Sequence, residues 1–261
     1  MGCRSGRAGT LNPNALPLWG WALGGVLLGL VAGSFLATLV LRWPKARGVS
    51  SGRSNCDHCG QTINAKDLIP MVSFVRLRGK CRACGAGIDQ SHIVIEGLCA
   101  LIGGTAMLVT PGQAGFMGAL FGWLLVALAA LDLKHFWLPD RLTGLLALVG
   151  VASGLTGLAP PLLDRAIGVI AGFAILSLIA TAYRWLRGRE GLGGGDPKLL
   201  GAIGAMLGWQ ALPFVVLGAS GVGLLFIGLQ WANGRKVQAT DRLPLGALMA
   251  LAAFLLWMLQ Q

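Results

Sequence analysis

The chain has 261 residues, of which 55% are hydrophobic and only 12% charged, and its mean hydropathy is +0.70. A soluble domain carries about 25% charged residues, and here the apolar excess comes in blocks near the roughly 20 residues that cross a bilayer as a helix. A soluble globular protein is excluded, and the formal charge of +11 has to be read through its placement before it implies a partner.

A tail, 1–17, precedes the first apolar block at about 18–41. Further blocks lie at about 93–109, 114–131, 142–158, 166–186, 199–209, 211–231 and 243–259. The sixth is short, and the break between it and the seventh is placed at Gln210 and Pro213. The first block is long and its heavier basic cluster follows it, so it is expected to stay as a membrane helix, not to be removed as a signal peptide. Arg42, Lys45, Arg47, Arg53, Lys66, Arg76, Arg78, Lys80 and Arg82 lie between the first two blocks. Lys134 and Arg141 follow the third, Arg187, Arg189 and Lys198 the fifth, and Arg235, Lys236 and Arg242 the seventh. The opposite connections carry only Arg165, with Arg4 and Arg7 in the tail. Basic residues collect on the cytoplasmic side, which predicts about eight spans with both termini outside. The charge is then a topology signal and a match to anionic lipid, not a nucleic-acid footprint.

The one sizeable polar segment falls within 42–92. It holds Cys56-Asp57-His58-Cys59-Gly60 and, further on, Cys81-Arg82-Ala83-Cys84-Gly85. Two Cys-x-x-Cys knuckles read as a four-thiolate zinc site, each trailing glycine relieving the turn. Disulfides are disfavoured by the reducing cytoplasm; a redox role for the thiols or an iron site is the remaining alternative. With Cys56, Cys59, Cys81 and Cys84 filling four positions, no open position is left for catalysis, so the metal is expected to be structural. His58 reads as a loop residue and Cys99 as a small apolar residue in a span.

Four acids sit at or inside the membrane boundary: Glu96, Asp132, Asp140 and Asp196. Asp140 follows Pro139 where a helix begins, and capping is its simplest role. Asp132 ends an apolar run, where an acid opposes its own helix dipole. Asp196 follows Gly193-Gly194-Gly195 and precedes Pro197-Lys198; it fits a helix N-cap and a catalytic acid alike. Traced through the spans, Asp132 and Asp196 reach the same depth. Two facing carboxylates in a partly desolvated site share a proton, which suits them to activate water and polarise a carbonyl. Gly193 and Gly195 would give a substrate backbone room, and Lys198 either anchors that loop, tunes the pair or meets a lipid headgroup. Glu96 either balances a cation or lines a site. No Ser-His or Cys-His arrangement competes, and no His-Glu-x-x-His motif occurs.

Several of these stretches together resemble one family. Arg53-Ser54-Asn55-Cys56-Asp57-His58-Cys59-Gly60, Ile69-Pro70 and Leu77-Arg78-Gly79-Lys80-Cys81-Arg82-Ala83-Cys84-Gly85 resemble the N-terminal cytoplasmic domain of type IV prepilin peptidases. Leu131-Asp132 through Leu138-Pro139-Asp140-Arg141-Leu142-Thr143 resembles that family's first aspartate motif, and Gly193-Gly194-Gly195-Asp196 its Gly-x-Gly-Asp motif. Gly33-Ser34-Phe35-Leu36 fits as well.

The resemblance implies an all-α, multi-pass aspartic protease of the bacterial inner membrane, working at the cytoplasmic face. Its first helix would be 18–41, its zinc-binding domain 42–92 and its peptidase domain 93–261. The substrates would be prepilins and pseudopilins, whose basic leader is removed after a glycine. S-adenosylmethionine would then supply a methyl group to the new N-terminus. Asp132 and Asp196 would be the catalytic pair, with Glu96 a possible methyltransferase residue. The chain departs from the family pattern at Ser91-His92-Ile93-Val94-Ile95 before Glu96, where Arg-Tyr-Pro is usual; this bears on methylation. Pro244-Leu245-Gly246-Ala247 replaces the usual Pro-Phe-Gly-Pro, a change expected to touch only local packing. A peptidase without methyltransferase activity, or a transporter or assembly factor using the aspartates for ion coupling, are the alternative functions.

Overall fold

Apolar runs of this length leave the backbone no partner in a bilayer but itself, so helix is the form they take. The computed structural model describes residues 16–45, 48, 54–56, 58–189, 191–234 and 243–261. Most of the 1–17 tail, with Arg4 and Arg7, lies outside the described residues, as do Arg47, Arg53, Asp57, Arg235, Lys236 and Arg242. The helices are α1 (Leu18–Arg42), α2 (Val72–Arg76), α3 (Ser91–Val109), α4 (Gln113–His135), α5 (Asp140–Leu155), α6 (Leu162–Arg187), α7 (Asp196–Leu207), α8 (Leu212–Ala232) and α9 (Leu245–Leu259). Among the described residues no strand forms; the Cys-rich segment has only the isolated bridges Asn55–Thr62 and Lys80–Gly87.

The eight longer helices fall on the eight apolar blocks. Among the described residues, five segments are long and apolar enough to cross a membrane: Leu18–Lys45, Ser91–Val109, Gln113–His135, Leu162–Arg187 and Trp209–Ala232. The remaining three are shorter. At 12 residues, α7 is about 18 Å long, well short of the roughly 30 Å hydrocarbon core. Its break from α8 comes at Gly208, at φ 78°, just before the expected position.

Helices in lipid associate through close backbone approach at small residues, since lipid is as apolar as leucine. Gly25, Gly29 and Gly33 stack one turn apart on α1, and a Cβ on each would collide with the α3 backbone at Gly103, Cys99 and Glu96. Gly168 on α6 meets Gly204 on α7, and Gly150 on α5 meets Ala205. All of Leu199–Leu207 is buried, so α7 is wrapped by its neighbours. The outward faces of α6 and α8, with Ile170, Leu178, Leu217 and Leu224 each more than two-thirds exposed, have the character of lipid-facing surface.

Arg165 departs from expectation. Read from the sequence, it is a lone charge on an outer connection; in the fold it is 1% exposed. Its Nη1 donates to the carbonyls of Gly150 (2.8 Å), Ala205 (2.9 Å) and Met206 (3.0 Å). Nε and Nη2 donate to Pro160, Leu158 and Ala159 at 2.8–3.1 Å. The carbonyls of Ala205 and Met206 lie in the last turn of α7, where they carry partial negative charge and lack intrahelical partners, while Gly150 O belongs to the interior of α5 and also accepts from Ser153 Oγ. The guanidinium thus caps α7 and ties it to α5.

Arg165→Leu is expected to lower the stability of the detergent-solubilised protein by about 3 kcal/mol, since buried carbonyls lose a charged donor. Thermal unfolding checks it; an unchanged midpoint would mean the carbonyls find other partners.

Candidate active site

The basic end of the bundle gathers the C-terminal end of α4 and the N-terminal ends of α5, α7 and α9. Asp132, in the last turn of α4, and Asp196, the first residue of α7, are 5% and 6% exposed there. Both adjoin Leu138, whose side chain a Cβ on Gly246, beside Asp132, or on Gly195, just before Asp196, would meet at 2.7–3.0 Å.

Each carboxylate is fixed by a main-chain amide. Asp132 Oδ2 accepts from the N–H of Ala247 at 2.9 Å, with the Gly246 amide beside it. Both amides belong to the first turn of α9, so Asp132, which opposes the dipole of α4, is set against the positive end of another helix. This corrects the reading of Pro244-Leu245-Gly246-Ala247 as local packing: the segment grips an active-site candidate. A Cβ on Gly246 would stand 2.9 Å from Asp132 Oδ2 and 3.0 Å from Leu138 Cδ1. No side chain fits.

Asp196 Oδ2 accepts from Gly193 N–H at 3.0 Å. Gly195, not Asp196, is the helix N-cap, so the carboxylate closes the glycine loop in place of capping α7. The three glycines have different reasons. A Cβ on Gly193 would lie 3.2 Å from Asp196 Oδ2, and one on Gly195 would lie 2.7 Å from Leu138 Cβ. Gly194 alone faces open space. Leu138 therefore wedges between the starts of α7 and α9 and keeps the two carboxylates in register. Beside the loop, a cavity of about 290 Å³ opens toward Phe173, Ser177 and Thr181 of α6.

The other candidates lie outside the pair. Lys198 Nζ bonds Asp140 Oδ1 at 2.7 Å, and both side chains are largely exposed. This pair ties the start of α7 to the start of α5; Asp140 is the first residue of α5 with Pro139 as N-cap, so it does not cap by side chain. His135 is exposed. Asp164 is in the first turn of α6, and its Oδ1 accepts from Trp209 Nε1 at 3.1 Å. Glu190 and Asp241 lie outside the described residues. Glu96 is buried, and its Oε2 accepts from Met71 N–H at 2.7 Å, joining α3 to the Cys-rich segment. Cys99 is fully buried, as a small apolar residue would be.

In the Cys-rich segment the two knuckles repeat one hydrogen-bond pattern. Cys56 N–H donates to Gln61 O and Gly60 N–H to Cys56 O; Cys81 N–H donates to Ala86 O and Gly85 N–H to Cys81 O. Gly60 and Gly85 have φ of 71° and 70°, the left-handed turn that their position required. The four Sγ atoms lie within 4.8 Å of one another, with Cys56 and Cys84 4.0 Å apart. Four sulfurs around a tetrahedral ion at about 2.3 Å would sit about 3.8 Å apart, so the set fits a metal. The amides of Cys59 and His58 lower the Cys56 thiol to about 6, favouring the thiolate that binds metal.

Residues 119–228 match the type IV leader peptidase family and residues 27–110 the bacterial peptidase A24 N-terminal domain. A prepilin leader peptidase/N-methyltransferase of Aeromonas salmonicida is 41% identical over 208 residues, 78% of this chain and 71% of that protein. One of Dickeya chrysanthemi is 39% identical over 260 residues, covering 89% and 90%. One of Burkholderia pseudomallei is 36% identical over 253 residues, covering 86% and 81%. No solved structure matches.

Protein purified under reducing conditions is expected to hold one metal ion per chain, and its cobalt form to show thiolate-to-metal charge transfer. Cys59→Ser or Cys84→Ser should remove both. A metal content unaffected by these substitutions would place the ion elsewhere.

Proposed function

The chain belongs to the type IV leader peptidase family, and from that premise we propose that it removes the basic leader of type IV prepilins and pseudopilins and then N-methylates the new N-terminal residue. The observation that carries the peptidase reading is the pair of buried carboxylates, Asp132 and Asp196, each held by a backbone amide at one end of the bundle. The ionised member takes a proton from water as the water oxygen attacks the scissile carbonyl carbon, while the protonated member gives its proton to the carbonyl oxygen. Collapse of the tetrahedral adduct breaks the C–N bond, and the proton taken from water passes to the departing amine. With Oδ2 of each aspartate held by an amide, this reading assigns Oδ1 to water and substrate. The cavity beside Gly194 gives an extended peptide a path along the glycine loop.

The methyl donor in this reading is S-adenosylmethionine. The metal is zinc, held by Cys56, Cys59, Cys81 and Cys84, and it supplies folding energy to a segment too small to be stable on its own core. The protein is a multi-pass membrane protein. In this reading it lies in the bacterial inner membrane, as the family resemblance implies, and the distribution of Lys and Arg supports about eight spans with the Cys-rich segment in the cytoplasm.

Detergent-solubilised protein is to be mixed with a prepilin, with and without S-adenosylmethionine. Asp132→Asn and Asp196→Asn are each expected to reduce cleavage by about 10⁴-fold. A leader left intact by the unaltered chain, or cleaved by both variants, would sink the two-aspartate mechanism. Cleavage without methyl transfer would leave a peptidase only.

Gly246→Ala is expected to displace the Asp132 carboxylate and slow cleavage about a hundredfold with the fold retained. Cleavage at the unaltered rate would show that Asp132 need not be gripped by α9.

A further inference from the structure

The Cys-rich segment carries an apolar surface that its own fold does not use. Leu68 and Ile69 expose 42% and 50% of their surface, and Val72 and Val75 on α2 expose 58% and 66%. Val72 and Val75, three residues apart on α2, share one face, and with Leu68 and Ile69 exposed just ahead of the helix they make an apolar ridge. On the other side of α2, Ser73 is buried and its hydroxyl donates to Lys66 O at 3.2 Å, so the helix has a defined inner face.

The depth of this ridge is fixed. Met71, within it, donates its N–H to Glu96 Oε2 at 2.7 Å, and Glu96 lies in the second turn of α3, itself a candidate membrane span. Met71 has φ 57° and ψ −47°, a conformation that a residue with a side chain keeps only where its surroundings impose it. At the same level α3 already turns apolar side chains outward: Val94 is 55% exposed and Leu98 43%. The ridge therefore sits at the height where the bundle meets lipid. Exposed Lys66, Arg76 and Arg78 flank it. An apolar edge with a basic border is the pattern of a segment lying in the interface of an anionic membrane.

We infer that Leu68, Ile69, Val72 and Val75 dip into the headgroup region of the membrane that the protein spans, with Lys66, Arg76 and Arg78 on anionic phospholipid. The contact makes α2 a further anchor holding the Cys-rich segment against the bundle, besides the Met71–Glu96, Arg42–Asn55 and Lys134–Asp89 bonds. This inference rests on the membrane reading and not on peptidase activity.

Hydrogen–deuterium exchange of the full chain tests it, in nanodiscs of phosphatidylcholine alone and of phosphatidylcholine with phosphatidylglycerol. Exchange over 68–77 is expected to be slower in the anionic discs, by about fivefold for each basic residue in contact. Arg76→Gln with Arg78→Gln should collapse the difference between the discs, and Val72→Asp with Val75→Asp should speed exchange in both. Metal content reports that the segment stays folded in each variant. Equal exchange of the unaltered chain in the two discs would overturn the inference. So would protection that arises only when a prepilin is added, which would assign the ridge to substrate.

Discussion

Holding two carboxylates inside an apolar bundle is the constraint around which the rest of this structure is arranged. A buried acid without donors costs several kcal/mol, and two of them repel. Here each receives an amide: Asp132 from the first turn of α9, Asp196 from the loop that leads into α7. Both also stand at the positive end of a helix dipole, Asp132 at that of α9 and Asp196 at that of its own helix. Asp132 opposes the helix it belongs to and is compensated by one that begins more than a hundred residues later. The fold resolves locally unfavourable chemistry by long-range placement.

Helix α7 connects this end to the other. At 12 residues it is shorter than the hydrocarbon core is thick, so its position comes from contacts along its length and at its ends. Gly168 and Gly150 let α6 and α5 touch its backbone, and Arg165 holds the carbonyls of Ala205 and Met206 at its C-terminus. A cation at the C-terminus and an acid at the N-terminus each favour the same dipole direction. Leu138 then fixes the start of α7 against the start of α9. The separation of the aspartates is set by packing of small residues, which tolerates little change.

What could be seen in the sequence was what short spacing encodes. The apolar blocks forecast the eight longer helices, and each knuckle holds its two cysteines and a left-handed glycine within a few residues. The all-helical class followed from the same blocks. Hidden were the partners distant along the chain. Arg165 looked like a topology charge because nothing local shows that its guanidinium reaches Gly150 and Met206. Glu96 gave no hint of Met71, and Gly246-Ala247 gave none of Asp132. Asp196 was ambiguous for a good reason: N-cap and first helical position differ by one residue, and only the bond to Gly193 separates them.

The contrast between the two polar centres is itself informative about how the chain works. The thiolate cluster is self-contained: two near-identical turns bring four sulfurs together with no help from the bundle. It is joined to the membrane helices at specific points, Arg42 to Asn55 O, Met71 to Glu96 and Lys134 to Asp89. The last of these is on the turn of α4 that carries Asp132. An exposed pair at 3.4 Å contributes little to stability, so its value lies in register. The aspartate site, by contrast, does not exist until α4, α5, α7 and α9 have packed. The metal segment is shaped by turns within itself, while the carboxylates have their amides only in the packed bundle.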